Sequence, residues 1–229
     1  MPGEKNSRND RKKEMTRGFF ITFEGMEGSG KSTQIQMLAD SLAAPEREII
    51  VTRSPGGTPI AEKMRDILKI RDPREEVMPE TELLLFAACH SQMTSHLVAP
   101  ALKRGAVILC DRFYDSTMAY QGYARTLDRN FVAEINAFSC RGIKPDLTLV
   151  LDLDPAEGIR RSHARASADE VAGDRFDSEK MQFHHDVRNA FLDLAAKEPE
   201  RFAVIDAEKT AEEVHRQIME AVHARLEAL

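Results

Sequence analysis

Between Gly25 and Ser32 the chain reads G-M-E-G-S-G-K-S, a match to G-x-x-x-x-G-K-[ST] that follows directly on the apolar run Phe19 to Glu24. The spacing is that of a phosphate cradle. Small residues at Gly25, Gly28 and Gly30 let successive backbone N–H groups converge on phosphate oxygens, helped by the positive end of the helix that follows. Lys31 then reaches the β- and γ-phosphates, and Ser32 offers its hydroxyl to Mg²⁺. The expected nucleotide-triphosphate contacts are Gly25, Met26, Glu27, Gly28, Ser29, Gly30, Lys31, Ser32 and Thr33.

A second acidic element follows. The run A-V-I-L-C-D ends at Asp111, the form of a strand-terminal carboxylate that orients Mg²⁺ beside a phosphate loop. Two anionic ligands that must meet in line need several cations to offset their repulsion, and arginines supply them. Arg53 and Arg112 follow apolar runs, and Arg160, Arg161, Arg165 and Arg175 cluster further on. Guanidinium forks bind phosphate bidentately, so Arg53 and Arg112 are candidates for an acceptor phosphate. The later cluster suits a lid over about residues 160–178, with a solvated helix face as the plainer reading.

These groups need a scaffold that gathers them. Five short runs rich in β-branched or aromatic residues, 19–24, 48–53, 106–111, 146–152 and 201–206, are spaced for intervening helices. Several are apolar at consecutive positions, as expected of strands covered on both faces. The fold expected is α/β: a three-layer P-loop NTPase fold with a five-stranded parallel sheet, flanking helices and a lid segment. Helices are expected over 31–43, 59–68, 80–103, from 154 toward 165, over 178–195 and over 211–226. In the fourth, Asp154-Pro155-Ala156-Glu157 reads as an N-cap, a first-turn proline and a capping-box acid. The fifth places Met181, Val187, Ala190, Phe191, Leu194 and Ala195 largely on one face. Parallel strands deliver their C-terminal ends to one edge, where ligands bind.

The whole chain narrows the classes. Its 229 residues suffice for one large α/β domain over 18–229, preceded by a charged tail over 1–17 with little to bury. A formal net charge of −6 argues against a general nucleic-acid binder. Cys89, Cys110 and Cys140 form no C-x-x-C pair and read as small buried hydrophobes in a reducing, cytoplasmic setting. No run of eighteen apolar residues and no apolar signal core is present, so neither membrane spanning nor export is expected. The guanine-specificity motif N-K-x-D and the transporter signature L-S-G-G-Q are both absent.

Beyond the phosphate loop, T-R-S-P-G-G-T at 52–58, D-R-F-Y-D-S-T-M-A-Y-Q-G at 111–122, P-D-L-T-L-V-L-D at 145–152 and D-R-F-D at 174–177 together resemble the bacterial thymidylate kinase family, from about Gly18 to the C-terminus. The resemblance implies transfer of the γ-phosphoryl of ATP to dTMP with Mg²⁺ at Ser32 and Asp111, in a homodimer. It implies that Glu27 faces the acceptor sugar's 3′-hydroxyl and that Arg53 and Arg112 hold its phosphate. It also implies that Phe86 stacks on thymine, that Ser116, Tyr120 and Gln121 line the acceptor pocket, and that Tyr120 excludes a 2′-hydroxyl. With a small residue at Gly28, the family pattern takes its transition-state arginine from the lid, here Arg161 or Arg165. Lys31 and Arg112 complete the expected catalytic set.

Two positions depart from the family pattern. His90 stands where an arginine usually meets the base, and Ser54 stands where a glutamate is usual. A neutral histidine offers one hydrogen bond at shorter reach. Two alternatives therefore stay open: a related deoxynucleoside-monophosphate kinase with another base preference, and a nucleotide-binding protein without turnover.

Overall fold

The computed structural model describes residues 17–70, 72–165, 176 and 179–227. The strands are β1 (Phe19–Glu24), β2 (Ile49–Arg53), β3 (Val107–Asp111), β4 (Leu147–Asp152) and β5 (Phe202–Asp206). All pairings among these strands are parallel, in the order β2-β3-β1-β4-β5. The five expected runs are these strands, each within two residues of the expected bounds. Residues 1–16 of the charged tail expected over 1–17 and most of the expected lid lie outside the described residues.

Burial of both faces of β1 explains its apolar run, interrupted by Thr22 and ended by Glu24. Phe19, Ile21 and Phe23 pack with Ile35 and Leu38 of α1 (Lys31–Leu42) and Ile218 and Val222 of α9 (Ala211–Glu227). Phe20, on the other face, packs with Met93, Ala101 and Leu102 from the helical run over 79–103. That run comprises α3 (Pro79–Met93), a wider turn at Thr94–Val98 and α4 (Ala99–Lys103). The widening lies directly before Pro100, which has no N–H to return to the preceding turn. Helix α8 (Met181–Lys197) covers β4 and β5 through Phe183, Val187, Ala190 and Phe191, whereas Met181, expected on its buried face, is 41% exposed. Helix α2 (Pro59–Lys69) packs on α3.

The polar members of β1 form a buried seam. Thr22 Oγ1 lies 3.0 Å from Thr148 Oγ1, and Arg201 donates from Nη1 to Thr148 Oγ1 at 2.9 Å. Arg201 also grips Asp115 with two bonds of 2.7 and 2.9 Å. This fixes α5 (Tyr114–Thr117) to the start of β5.

Three elements were not foreseen: α5, the wider turn Met118–Ala124 that continues it, and α6 (Arg129–Ser139). Helix α6 does carry a start signal, since Asp128 accepts from the N–H groups of Asn130 and Phe131 at 2.9 Å. In α7 (Pro155–Arg165), Asp154 caps as expected by accepting from Ala156 N–H at 2.9 Å. The expected capping box is corrected: Glu157 directs its oxygens to Arg160 and Arg161 at 2.6–2.8 Å, because those guanidiniums are stronger donors than a backbone amide.

Candidate active site

The C-terminal ends of β1, β2 and β3 surround a cleft of about 260 Å³. Register brings the ends together: Asp111 sits beside Phe23 on one side and beside Arg53 on the other. The loop between β1 and α1 forms one wall. Gly28 has φ +77°, and a Cβ there would come within 2.1 Å of the Gly158 carbonyl oxygen on α7. A Cβ on Gly158 would in turn meet the Glu27 carbonyl oxygen at 2.5 Å. Loop and helix thus approach backbone to backbone, which only glycine permits.

Lys31 opens α1 and is buried. Its Nζ donates to the carbonyls of Gly25 at 3.1 Å and Met26 at 2.9 Å, inside the curl of the loop. Burial and the neighbouring Arg112 lower its pKa, while Glu27, Asp111 and Glu24 pull the other way. Ser32, on the same cleft wall, is exposed, as is Thr33 one residue on. Met26 is buried among the side chains of α8, and Ser29 Oγ is buried without a hydrogen-bond partner.

Across from the loop stands Arg112, in a left-handed backbone conformation at φ +66°. Its Nη2 donates to Glu27 Oε2 at 2.5 Å and its Nη1 to Ser116 Oγ at 3.1 Å. Its guanidinium carbon lies 5.2 Å from the centre of the Tyr120 ring. Burial raises the Glu27 pKa, but the charges of Arg112, Lys31 and His184 outweigh it and hold Glu27 below the usual carboxylate range. Arg53, exposed at the cleft edge, donates to Glu62 Oε2 at 2.8 Å, and Glu62 Oε1 accepts from Gly57 N–H at 2.8 Å. Asp111 Oδ1 is buried with no hydrogen-bond partner, on a wall it shares with Ser32.

The far end of the cleft is aromatic. Phe86 lines it from α3, with Phe176 6.3 Å away between ring centres. His90, one turn further along α3, also lines the cleft; it is fully buried and neither ring nitrogen has a hydrogen-bond partner. Burial pushes its pKa down to about 3, so the ring is neutral. Tyr120 and Gln121 come from the wider turn and both line the cleft. Gln121 Nε2 donates to the buried Glu82 at 2.6 Å, leaving Oε1 without a partner. A turn wider than the α-helix reduces the angle between successive side chains, which lets two adjacent residues face one cavity.

Of the expected site residues, the cleft gathers Glu27, Gly28, Gly30, Lys31, Ser32, Arg53, Phe86, His90, Asp111, Arg112, Ser116, Tyr120 and Gln121. Arg161 is not on that wall: it donates to Glu157 and, from Nη1, to the Ala207 carbonyl at 3.0 Å. The Arg165 side chain and Arg175 lie outside the described residues. Sequence reasoning missed Arg65 and Lys69 of α2, which face the cleft, and Glu24, whose carboxylate lies behind it. Charged residues on a helix with an apolar stripe read as a solvated face, and a glutamate ending a strand carries no signal of its own.

A parallel sheet in this order, a glycine loop closing on a buried lysine, and arginines on the facing wall define a P-loop nucleotide kinase. A thymidylate kinase family model matches residues 23–218, and the chain belongs to that family. It is 49% identical over 190 residues to the thymidylate kinase of Geobacter sulfurreducens, covering 82% of this chain and 89% of that protein. It is 47% identical over 206 residues to that of Halothermothrix orenii, covering 90% and 97%. The crystal structure of thymidylate kinase from Ehrlichia chaffeensis superposes with a TM-score of 0.71 at 30% identity, covering 90% of this chain and 99% of that one.

Proposed function

We propose that the cleft binds ATP on the glycine loop and dTMP on the Arg112 wall, and that the two meet between Lys31 and Arg112. The reaction is that of the family, phosphorylation of dTMP to dTDP in nucleotide biosynthesis, with ATP as co-substrate. One observation carries the assignment of sides: two cations, Lys31 buried inside the phosphate loop and Arg112 part-buried beside Glu27, border the same cavity.

Lys31 leaves its loop carbonyls for the transferring phosphoryl group, where negative charge redistributes in the transition state. Arg53 and Arg112 hold the acceptor phosphate in line. Glu27 orients Arg112 and faces the 3′-hydroxyl. The thymine ring stacks on Phe86, Tyr120 closes the space beside the sugar against a 2′-hydroxyl, and Gln121 Oε1 and the neutral His90 border the base edge. Ser32 and the unpartnered Asp111 oxygen suit Mg²⁺, which would offset phosphate charge there. Of the two lid arginines named as donors, Arg161 starts from its bonds to Glu157 and Ala207.

A homodimer is proposed on the exposed apolar side chains of α3 and α6, which pack on each other: Leu84 (57% exposed), Phe131 (53%) and Phe138 (82%). A cytoplasmic location is proposed on Cys89, Cys110 and Cys140, all free and buried. No described helix is long and apolar enough to cross a membrane.

The test is ADP release with dTMP, dUMP, dCMP and dGMP as acceptors. Fastest turnover is expected with dTMP. Equal turnover with dUMP would overturn the thymine assignment, and ATP binding without ADP release for any acceptor would overturn the catalytic one.

A further inference from the structure

We propose that Glu24 is the positioning residue for Arg112: by its reach, the side chain ties together the backbone and the hydroxyl on which the guanidinium is mounted. The proposal rests on the assignment of Arg112 to the acceptor phosphate.

Glu24 ends β1, is fully buried and lies behind the cleft wall. Its Oε1 accepts from Phe113 N–H at 2.8 Å, and its Oε2 shares a hydrogen bond with Ser116 Oγ at 2.5 Å. Ser116 Oγ also receives Arg112 Nη1 at 3.1 Å. A continuous path therefore runs from Glu24 through Ser116 to Arg112 and on to Glu27. The path matters because Arg112 holds a left-handed backbone, which is strained for a residue with a side chain and persists only when its surroundings fix it. The Arg112 N–H is held by the Phe23 carbonyl at 2.9 Å and its carbonyl by the Cys110 thiol at 3.0 Å. Glu24 holds the next peptide along and the side chain one helical turn away. With both oxygens occupied and no exposed surface, it touches no substrate and acts through Arg112.

Burial, reinforced by the charge of Asp115 on α5, pushes Glu24 up to about 8 against the pull of Arg112 and its two hydrogen bonds. At neutral pH it is mostly the uncharged acid, with one donor and one acceptor. Glutamine has the same length and the same pair of groups. Aspartate keeps the acid but is one methylene shorter and cannot span both partners.

Reach and charge are therefore separable by kinetics. Glu24→Asp is expected to raise the KM for dTMP about tenfold and leave the KM for ATP within about twofold, while Glu24→Gln stays within about threefold of the parent for both. In an Arg112→Ala background, Glu24→Asp should add nothing to the KM for dTMP. The proposal is overturned if Glu24→Asp leaves that KM unchanged, raises both KM values alike, adds its full effect to Arg112→Ala, or is milder than Glu24→Gln. Arg112→Ala alone tests the underlying assignment: an unchanged KM for dTMP there would remove Arg112 from the acceptor phosphate, whatever Glu24 does.

Discussion

Arg112 and Glu27 meet through a 2.5 Å ion pair that bridges the end of β3 and the loop after β1. The pair joins the two walls of the cleft. Arg112 keeps only 13% of its side chain exposed, against 43% for Glu27, so the carboxylate is the solvent-facing partner. In the proposed reaction the guanidinium, already turned to Glu27 and Ser116, presents its remaining N–H donors to the acceptor phosphate.

Lys31 is held within the loop by two carbonyls rather than by a carboxylate, so it is released without breaking an ion pair. Lys31→Ala is expected to lower kcat by about 10²–10³-fold, the scale of removing one group that stabilises developing charge. The KM for dTMP should stay within a few-fold. Steady-state kinetics with each substrate varied in turn checks both.

Arg53 depends on Glu62, which also fixes the Gly57 amide. Arg53→Ala is expected to raise the KM for dTMP about tenfold or more with a smaller change in kcat, as for lost binding common to ground and transition states. An unchanged KM would remove Arg53 from the acceptor phosphate. Glu62→Gln should shift the same constant in the same direction by less.

His90 carries a pH signature. Its folded pKa, about 3, lies below its ordinary value of 6.5 because burial disfavours the charged ring. Between these values the unfolded chain binds more protons than the folded one, so stability present above pH 6.5 is lost as pH falls toward 3. Thermal melts of His90→Gln should show a weaker loss of Tm over that window than the parent does. His90→Arg should improve discrimination of dTMP over dCMP; equal discrimination would dismiss the base-edge role.

Arg201 and Asp115 are 8% and 3% exposed and form a buried bidentate pair. Arg201→Met leaves Asp115 without its main partner and is expected to cost about 3–5 kcal/mol of stability, read by denaturant unfolding. Double replacement with Asp115→Asn should recover part of it.

Much of this was legible in the chain. The five strands were, because short runs rich in β-branched and aromatic residues stand out between helical stretches, and β1, buried on both faces, is apolar from Phe19 to Phe23 except at Thr22. The phosphate loop, Asp111, Arg53 and Arg112 were, because each ends or follows a strand and a parallel sheet delivers all its strand ends to one edge. The strand order was not, since nothing local in β2 says that β3 will lie between it and β1. The 114–124 helical run was hidden because its apolar residues follow no α-helical period, and the wider turn that aims Tyr120 and Gln121 is the reason. Glu24 was hidden because its partners, Phe113 and Ser116, are about ninety positions away and become neighbours only through the β1–β3 pairing.

That pairing has a mechanical consequence. Lys31 hangs from β1 through the glycine loop, and Asp111 and Arg112 hang from β3, the adjacent strand. In the proposed reaction, donor and acceptor are therefore held from two adjacent, hydrogen-bonded strands, and the separation of those strands sets the span between them. The two sides of the proposed site are thus tied through backbone, with no side-chain contact needed to keep them in register.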